Sequence, residues 1–333
     1  MASPVTIPAA DVAGHPAFKA WSALAPARTP PERIDVLRRK KKSAVYRLAG
    51  AGPGGSAVVA KRCRPESAAV ERTIYAEILP QLALRSLEYY GSVEERGGEF
   101  TWLFLEDAGG SELAPRLPEH ASLTAWWLGR MHTGTARNSA AARLPDRGPD
   151  HYLDHLRRAR ESILGNLGNP LLRDEDRGLL RGIVAQCDVL EARWSRILDS
   201  CEEIPRTLVH GDLVFRNMRV IGGAAGSELL VYDWETAGWG LPAADLSQLL
   251  IKLPAPPDLP HYWETVRESW PGLGLEDVTR LAVVGSLFRL LAMIRWEGEE
   301  LQYQSVRKSM GTFKIYRAEI TRVLQEAGWR ELQ

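Results

Sequence analysis

His210-Gly211-Asp212-Leu213-Val214-Phe215-Arg216-Asn217, followed sixteen residues later by Asp233-Trp234-Glu235, decides the reading of this chain. An apolar run precedes each segment: Thr207-Leu208-Val209 before the first and Leu229-Leu230-Val231-Tyr232 before the second. That pattern predicts strand, polar loop, strand and turn. Two carboxylates and a carboxamide are thereby expected at neighbouring strand ends. Metal-assisted phosphoryl transfer needs such a set: one carboxylate accepts the proton of an attacking hydroxyl, while hard oxygen ligands hold Mg²⁺ on nucleotide phosphates.

HGD with Asn five residues after the Asp, then DWE, resembles the aminoglycoside-phosphotransferase and choline-kinase-like family of small-molecule kinases. That family is related to protein kinases, whose loops read HRDxxxxN and DFG. The resemblance implies an α+β, protein-kinase-like two-lobed fold, with a small β-rich N-lobe and a larger, mainly helical C-lobe. It implies that Asp212 is the catalytic base and that Asn217 and Asp233 are the Mg²⁺ ligands. It further implies ATP as phosphoryl donor, Mg²⁺ as cofactor and a hydroxyl-bearing small molecule as acceptor. A protein kinase is excluded because HRD, DFG and an APE-ended activation segment are absent, and the interval from Asp233 to Asp245 is too short to dock a peptide. A pseudokinase would be expected to have lost the base, a metal ligand or the strand lysine, and all are present.

Upstream, strands are expected at Ile34–Arg39, Ala44–Ala49 and Ala57–Arg62, a helix at Ser67–Leu82, then strands at Leu87–Val93 and Phe100–Leu105. Val70, Ile74, Ile78 and Leu82 form the helical stripe. This order matches a kinase-like nucleotide lobe at residues 1–107, with an Ala/Pro-rich, loosely packed lead-in over 1–32 that carries one short helix around Pro16–Leu24. Residues 108–333 form the catalytic and acceptor-binding lobe, with helices around 123–133, 152–164, 179–198, 244–253, 262–270, 278–296 and 306–325. There is no internal repeat.

Lys61 closes the third strand. In the family a lysine here contacts the α- and β-phosphates and pairs with a glutamate on the next helix. Glu71 and Glu77 both qualify; Glu71, with Tyr75 four residues on, has the family's Glu-then-aromatic spacing and is preferred. The loop Arg39-Lys40-Lys41-Lys42-Ser43 lacks the glycines that relatives often carry there. Lys41, Lys42 and Ser43 either bind phosphate through side chains or form a basic surface turn. The Gly-rich run Gly50–Gly55 lies one hairpin too late and lacks the GK[ST] ending of a P-loop. Phe100 to Asp107 resembles the strand entering the adenine hinge. Leu105 and Asp107 would offer backbone groups to the purine, with Phe104 at the back of the pocket. Backbone recognition does not separate ATP from GTP.

Around the loops, His210 is read as structural, and Asp245 as either the family's brace for the catalytic loop or a helix N-terminal carboxylate. Arg216 reads as a contact to the transferred phosphoryl group or a surface ion pair. Glu235 reads as a contact to metal-bound water or substrate.

The bulk numbers exclude other classes. The 333 residues, 45% hydrophobic, balance 42 basic against 42 acidic groups, so no global field points to nucleic acid or a membrane. Three cysteines without a CxxC pair fit a reduced, cytoplasmic protein, a monomer or homodimer. The N-terminus lacks the basic segment and apolar core of a signal peptide. The run Leu281–Ile294, interrupted by Arg289, is expected to be a buried helix rather than a membrane span. Mixed charge and eight tryptophans from Trp127 onward predict a neutral or weakly charged acceptor that stacks on aromatic faces. Examples are an antibiotic with a sugar or nucleoside moiety or, alternatively, a choline-, sugar- or amino-acid-type metabolite.

Overall fold

The computed structural model describes residues 5–24, 30–40, 42–114, 116–223, 226–247, 258–301 and 306–328. The chain divides into two compact units. The first comprises Met1–Leu113 and Phe215–Ala237, and the second Ala114–Val214 and Gly238–Gln333. Asn217 and Asp233 therefore fold with Lys61, whereas Asp212 folds with the helices.

The first unit is built on a six-stranded antiparallel sheet in the spatial order Val5–Ile7, Arg33–Arg39, Ala44–Ala49, Val58–Cys63, Thr101–Glu106, Tyr89–Glu94. The strand Ala44–Ala49 alternates in burial. One face of the sheet carries Ile34, Tyr46, Leu48, Ala60, Trp102 and Phe104 into a core. The strand Val5–Ile7 was not anticipated; it extends the sheet through Thr6, whose hydroxyl donates to Asp35 Oδ1 at 2.9 Å. The lead-in carries the expected helix, at Pro16–Leu24, but it is packed rather than loose. That helix buries Ala17, Ala20 and Trp21, and the Trp21 ring lies 5.0 Å from that of Phe104. Burying the indole against the sheet helps to offset the cost of ordering this Ala-rich segment.

The helix expected over Ser67–Leu82 begins at Pro65, runs to Thr73 and then widens into a π-type turn over Ile74–Ile78. The wider turn lets Ile74, Tyr75 and Ile78 all be buried. A second, three-stranded sheet joins Ser111–Glu112, Met218–Gly223 and Gly226–Val231.

The second unit is mainly helical. Its longer helices are Pro118–Thr135, Pro149–Asn166, Asp174–Ala192, Leu275–Glu300 and Val306–Glu326. The helix expected over 179–198 starts earlier and breaks at Arg193. The helix expected over 244–253 is seen as Ala243–Leu246, and its remainder from residue 248 lies outside the described residues. A small sheet orders Asp146–Arg147, Gly238–Gly240 and Thr207–Val209 side by side. Gly285 permits the closest helix approach: a Cβ there would meet the Ala243 carbonyl oxygen at 1.9 Å. No described helix is long and apolar enough to cross a membrane.

Candidate active site

The first unit holds a cavity of about 370 Å³ lined on one side by Lys61, Glu71, Tyr75, Asn217, Asp233 and Glu235. Strand pairing explains Lys61: it faces Val45 and Leu103 across the sheet, one residue out of phase with core-facing Ala60. Its ammonium donates to Glu71 Oε1 at 2.5 Å and to Asp233 Oδ1, and Glu235 Oε2 lies 3.7 Å away. Glu71 is the partner; Glu77 points from an exposed position on the same segment. Burial alone would drive the lysine proton off, yet the carboxylates of Glu71, Asp233 and Glu235 outweigh it and hold the pKa well above its ordinary value. Burial pushes the Glu71 carboxyl up to about 7 against the opposing pull of Lys61.

Asp233 has φ of 69°, the left-handed region, and is the one non-glycine in that region among the described residues. Such backbone persists where surrounding structure fixes it. Here it turns the carboxylate from the strand end toward Lys61. One oxygen each of Glu71, Asp233 and Glu235 lies within 4.8 Å of the others. Together with the Asn217 carboxamide on the same cavity, this set is hard and oxygen-rich. It fits a divalent cation such as Mg²⁺, and the Lys61 ammonium already shows that the spot attracts positive charge.

Leu105 and Asp107 also line the cavity. Arg47 forks onto the Asp107 carboxylate, with Nε at 2.7 Å and Nη2 at 3.1 Å, and fixes the chain just after the strand. Phe104 does not reach the cavity. Strand alternation puts Leu103 and Leu105 on that face and turns Phe104 into the core against Trp21 and Trp102. Of the basic loop, Ser43 lines the cavity, Lys42 is exposed and outside its lining, and Lys41 lies outside the described residues. The basic groups that do line it are Arg38, Arg216 and Arg219, besides Lys61 and Arg47. Arg38 Nη1 approaches Asp233 Oδ2 at 3.8 Å. Sequence reasoning missed Arg38, which sits just past a β-bulge near the strand end.

In the second unit, Asp212 follows Gly211, whose φ of 74° turns the chain sharply after the strand Thr207–Val209. Asp245 braces this turn: its Oδ2 accepts the His210 N–H at 2.8 Å and its Oδ1 the Gly211 N–H at 2.9 Å. His210 is fully buried, and its Nδ1 lies 3.3 Å from the Asp212 N–H. His132, unassigned from the sequence, links Asp245 Oδ2 at 3.3 Å to the Tyr262 hydroxyl at 2.9 Å. The unexpected neighbour is Arg289, only 4% exposed, whose Nη1 sits 2.8 Å from Asp212 Oδ1. The sequence showed it merely as a break in an apolar run.

A buried lysine clamped by two carboxylates in a β-rich unit, and a braced Asp loop in a helical one, define a kinase-like α+β architecture. The chain belongs to the phosphotransferase enzyme family, whose profile matches residues 37–273. A comparison with curated proteins finds no match. Among solved structures, the GDP complex of wild-type aminoglycoside 2'-phosphotransferase-IIIa has a TM-score of 0.62 at 14% identity, over 91% of this chain and 97% of that one. A choline kinase from Cryptosporidium parvum Iowa II gives 0.62 at 12%, over 89% and 91%. A microcompartment-associated aminopropanol kinase gives 0.60 at 17%, over 92% and 95%. At such identities these likenesses concern the fold, and the family membership makes the chain a small-molecule phosphotransferase.

Proposed function

We propose that the protein transfers the γ-phosphoryl group of ATP to a hydroxyl of a small molecule, with Asp212 as base and Asn217 and Asp233 as Mg²⁺ ligands. The observation that carries this reading is the Lys61 ammonium held between Glu71 and Asp233 in a cavity also lined by Leu105, Glu106 and Asp107 at the strand exit. Lys61, with Arg38 and Arg216, would take the phosphates, and Ser43 would lie against them. Bound Mg²⁺ would neutralise charge on the β- and γ-phosphates. The acceptor hydroxyl gives its proton to Asp212 as its oxygen bonds to phosphorus. The bond from phosphorus to the β-bridging oxygen breaks, and ADP leaves.

Several kinases of similar fold are named for amino-bearing acceptors: aminoglycosides, choline and aminopropanol. Arg289 beside Asp212 opposes a polycation at that point. We therefore favour non-cationic acceptors, whether sugar- or nucleoside-bearing antibiotics or hydroxylated metabolites, over aminoglycosides. The test is a panel with ATP or GTP and Mg²⁺, reading nucleoside diphosphate release and a mass gain of one phosphate. Turnover of non-cationic acceptors is expected. Efficient phosphorylation of kanamycin-like compounds with the others inert would overturn the acceptor reading, and no turnover with any acceptor or water would overturn the reaction.

A further inference from the structure

The helices Pro149–Asn166 and Leu275–Glu300 carry, beside Asp212, a cluster of basic groups that the transfer reaction does not use. Arg289 is its inner member. It is a buried guanidinium, Asp212 is the one carboxylate among the described residues within ion-pair distance of it, and its Nη1 has no hydrogen-bond acceptor there. The contact to Asp212 is close but not aligned as a hydrogen bond. The Arg289 guanidinium lies 5.4 Å from the Trp296 ring centre, and Trp296, 39% exposed, meets His155 edge-on at 6.4 Å.

From His155 runs a chain made only of nitrogens. Arg295 Nη1 is 3.2 Å from His155 Nδ1, His155 Nε2 is 3.0 Å from His151 Nε2, and His151 Nδ1 is 3.4 Å from Arg147 Nη1. Both ends are guanidinium donors. Burial and the adjacent guanidinium groups push the two imidazoles down to about 4 and about 3, so each offers one N–H and one lone pair. Three contacts and two lone pairs leave one contact in which N–H faces N–H. At its Arg147 end, Nη1 finds an acceptor outside the chain, the Asp146 carbonyl oxygen at 3.4 Å. The opposing carboxylates are peripheral: Asp154 lies 3.9 Å from Arg295 and is half exposed, Glu299 meets Arg295 at 3.3 Å, and Asp146 is taken by Arg206 at 2.8 Å.

We propose that this cluster receives an oxyanion of the acceptor, a carboxylate or a phosphate ester, with Arg289 as the principal contact and the part-exposed Trp296 beside it. The acceptor class is then a hydroxy acid or a phosphorylated polyol, whose hydroxyl faces Asp212 while its anionic end faces Arg289. This rests on Asp212 being the base. It replaces the neutral acceptor expected from averaged charge, which did not reveal the buried Arg289 guanidinium.

The test uses the full chain. Malonate and inorganic phosphate are titrated as probes of the two oxyanion types, with uncharged glycerol as control, and tryptophan fluorescence and calorimetry are read. Saturable binding of at least one anion is expected, weakened about tenfold or more by Arg289→Gln and less by Arg289→Lys, as a lost charge-assisted contact requires. Arg295→Gln, farther from Asp212, serves should Arg289→Gln fail to fold, and should also weaken binding. In the panel, glycerate or sugar phosphates should outperform glycerol or the free sugars. Anion affinity unchanged in both variants, or neutral acceptors preferred, would overturn the proposal. ATP binding measured in the same samples separates the two readings: retained ATP binding without anion binding defeats this proposal alone, and loss of both defeats the kinase reading as well.

Discussion

At the residue scale, Asp212 is held by geometry rather than by its own packing. Asp245 fixes the two backbone N–H groups before it, and Arg289 faces its carboxylate. Asp212→Asn keeps shape and removes proton acceptance. Turnover is expected to fall by about two to four orders of magnitude while nucleotide affinity is retained; steady-state rates beside calorimetric nucleotide titration check this, and an unchanged rate refutes the base assignment. Glu71→Ala frees the Lys61 ammonium from one of its two close carboxylates, whereas Glu77 is exposed. The first substitution should lower kcat/KM by roughly 10- to 100-fold and the second by less than about twofold. Equal effects in the two variants, with folding confirmed by circular dichroism, would remove Glu71 from the site. Lys61, Glu71, Asn217 and Asp233 were readable as a set that one cavity brings together, because their spacing along the chain is itself the signal. Arg289 and His132 were not, because each meets its partner across long sequence separations, 77 residues for Arg289 and Asp212 and 113 for His132 and Asp245.

At the element scale, strands announced themselves better than helices. The hairpin strands 33–39, 44–49 and 58–63 lie within a residue of expectation, since period-two alternation and a Gly-rich turn bound them tightly. The helix after Lys61 was expected to be regular, but its π-type turn answers to tertiary burial of Tyr75, which local periodicity does not encode. Phe104 was misplaced for a related reason: the strand is apolar on both faces, so composition could not say which side is core. Packing of Leu275–Glu300 on Ala243–Leu246 yields a sharp prediction. Gly285→Ala improves helix propensity by about 1 kcal/mol yet drives a methyl into the Ala243 carbonyl. The clash should win, with a net loss of about 2 kcal/mol and a Tm lower by roughly 4–8 °C in a thermal melt. Gly311→Ala, where a Cβ meets nothing within 4 Å, is the control and should be neutral or stabilising.

At the scale of the whole molecule, the paired histidines, one buried and one partly so, set an acid limit. In the folded chain His151 and His155 stay neutral until the pH falls to about 4 and about 3, whereas their ordinary value is 6.5. Between those values the unfolded chain binds protons that the folded chain does not, so stability is fully present above about pH 6.5 and is lost as the pH falls. The loss should reach a few kcal/mol by about pH 4, and His151→Gln with His155→Gln should flatten it; urea midpoints from pH 7.5 to 4 measure both. A parallel descent in the double variant would assign the acid sensitivity elsewhere. Magnesium gives the companion test. Nucleotide affinity should rise with Mg²⁺ in the parent and respond far less in Asp233→Ala, because an oxygen ligand is gone; equal affinity with and without Mg²⁺ in the parent would contradict a metal-bridged nucleotide.

The first unit is assembled from two separated pieces of sequence, Met1–Leu113 and Phe215–Ala237. A premature stop anywhere before codon 215 would therefore leave neither a working half nor a salvageable one. The surviving first piece would lack the strands Met218–Gly223 and Gly226–Val231 and the acid that holds Lys61. Gene fission and fragment exchange should be far more damaging here than in a protein whose modules are contiguous. Insertions should be best tolerated at the exposed, left-handed Gly54–Gly55 turn, where a Cβ meets nothing within 4 Å.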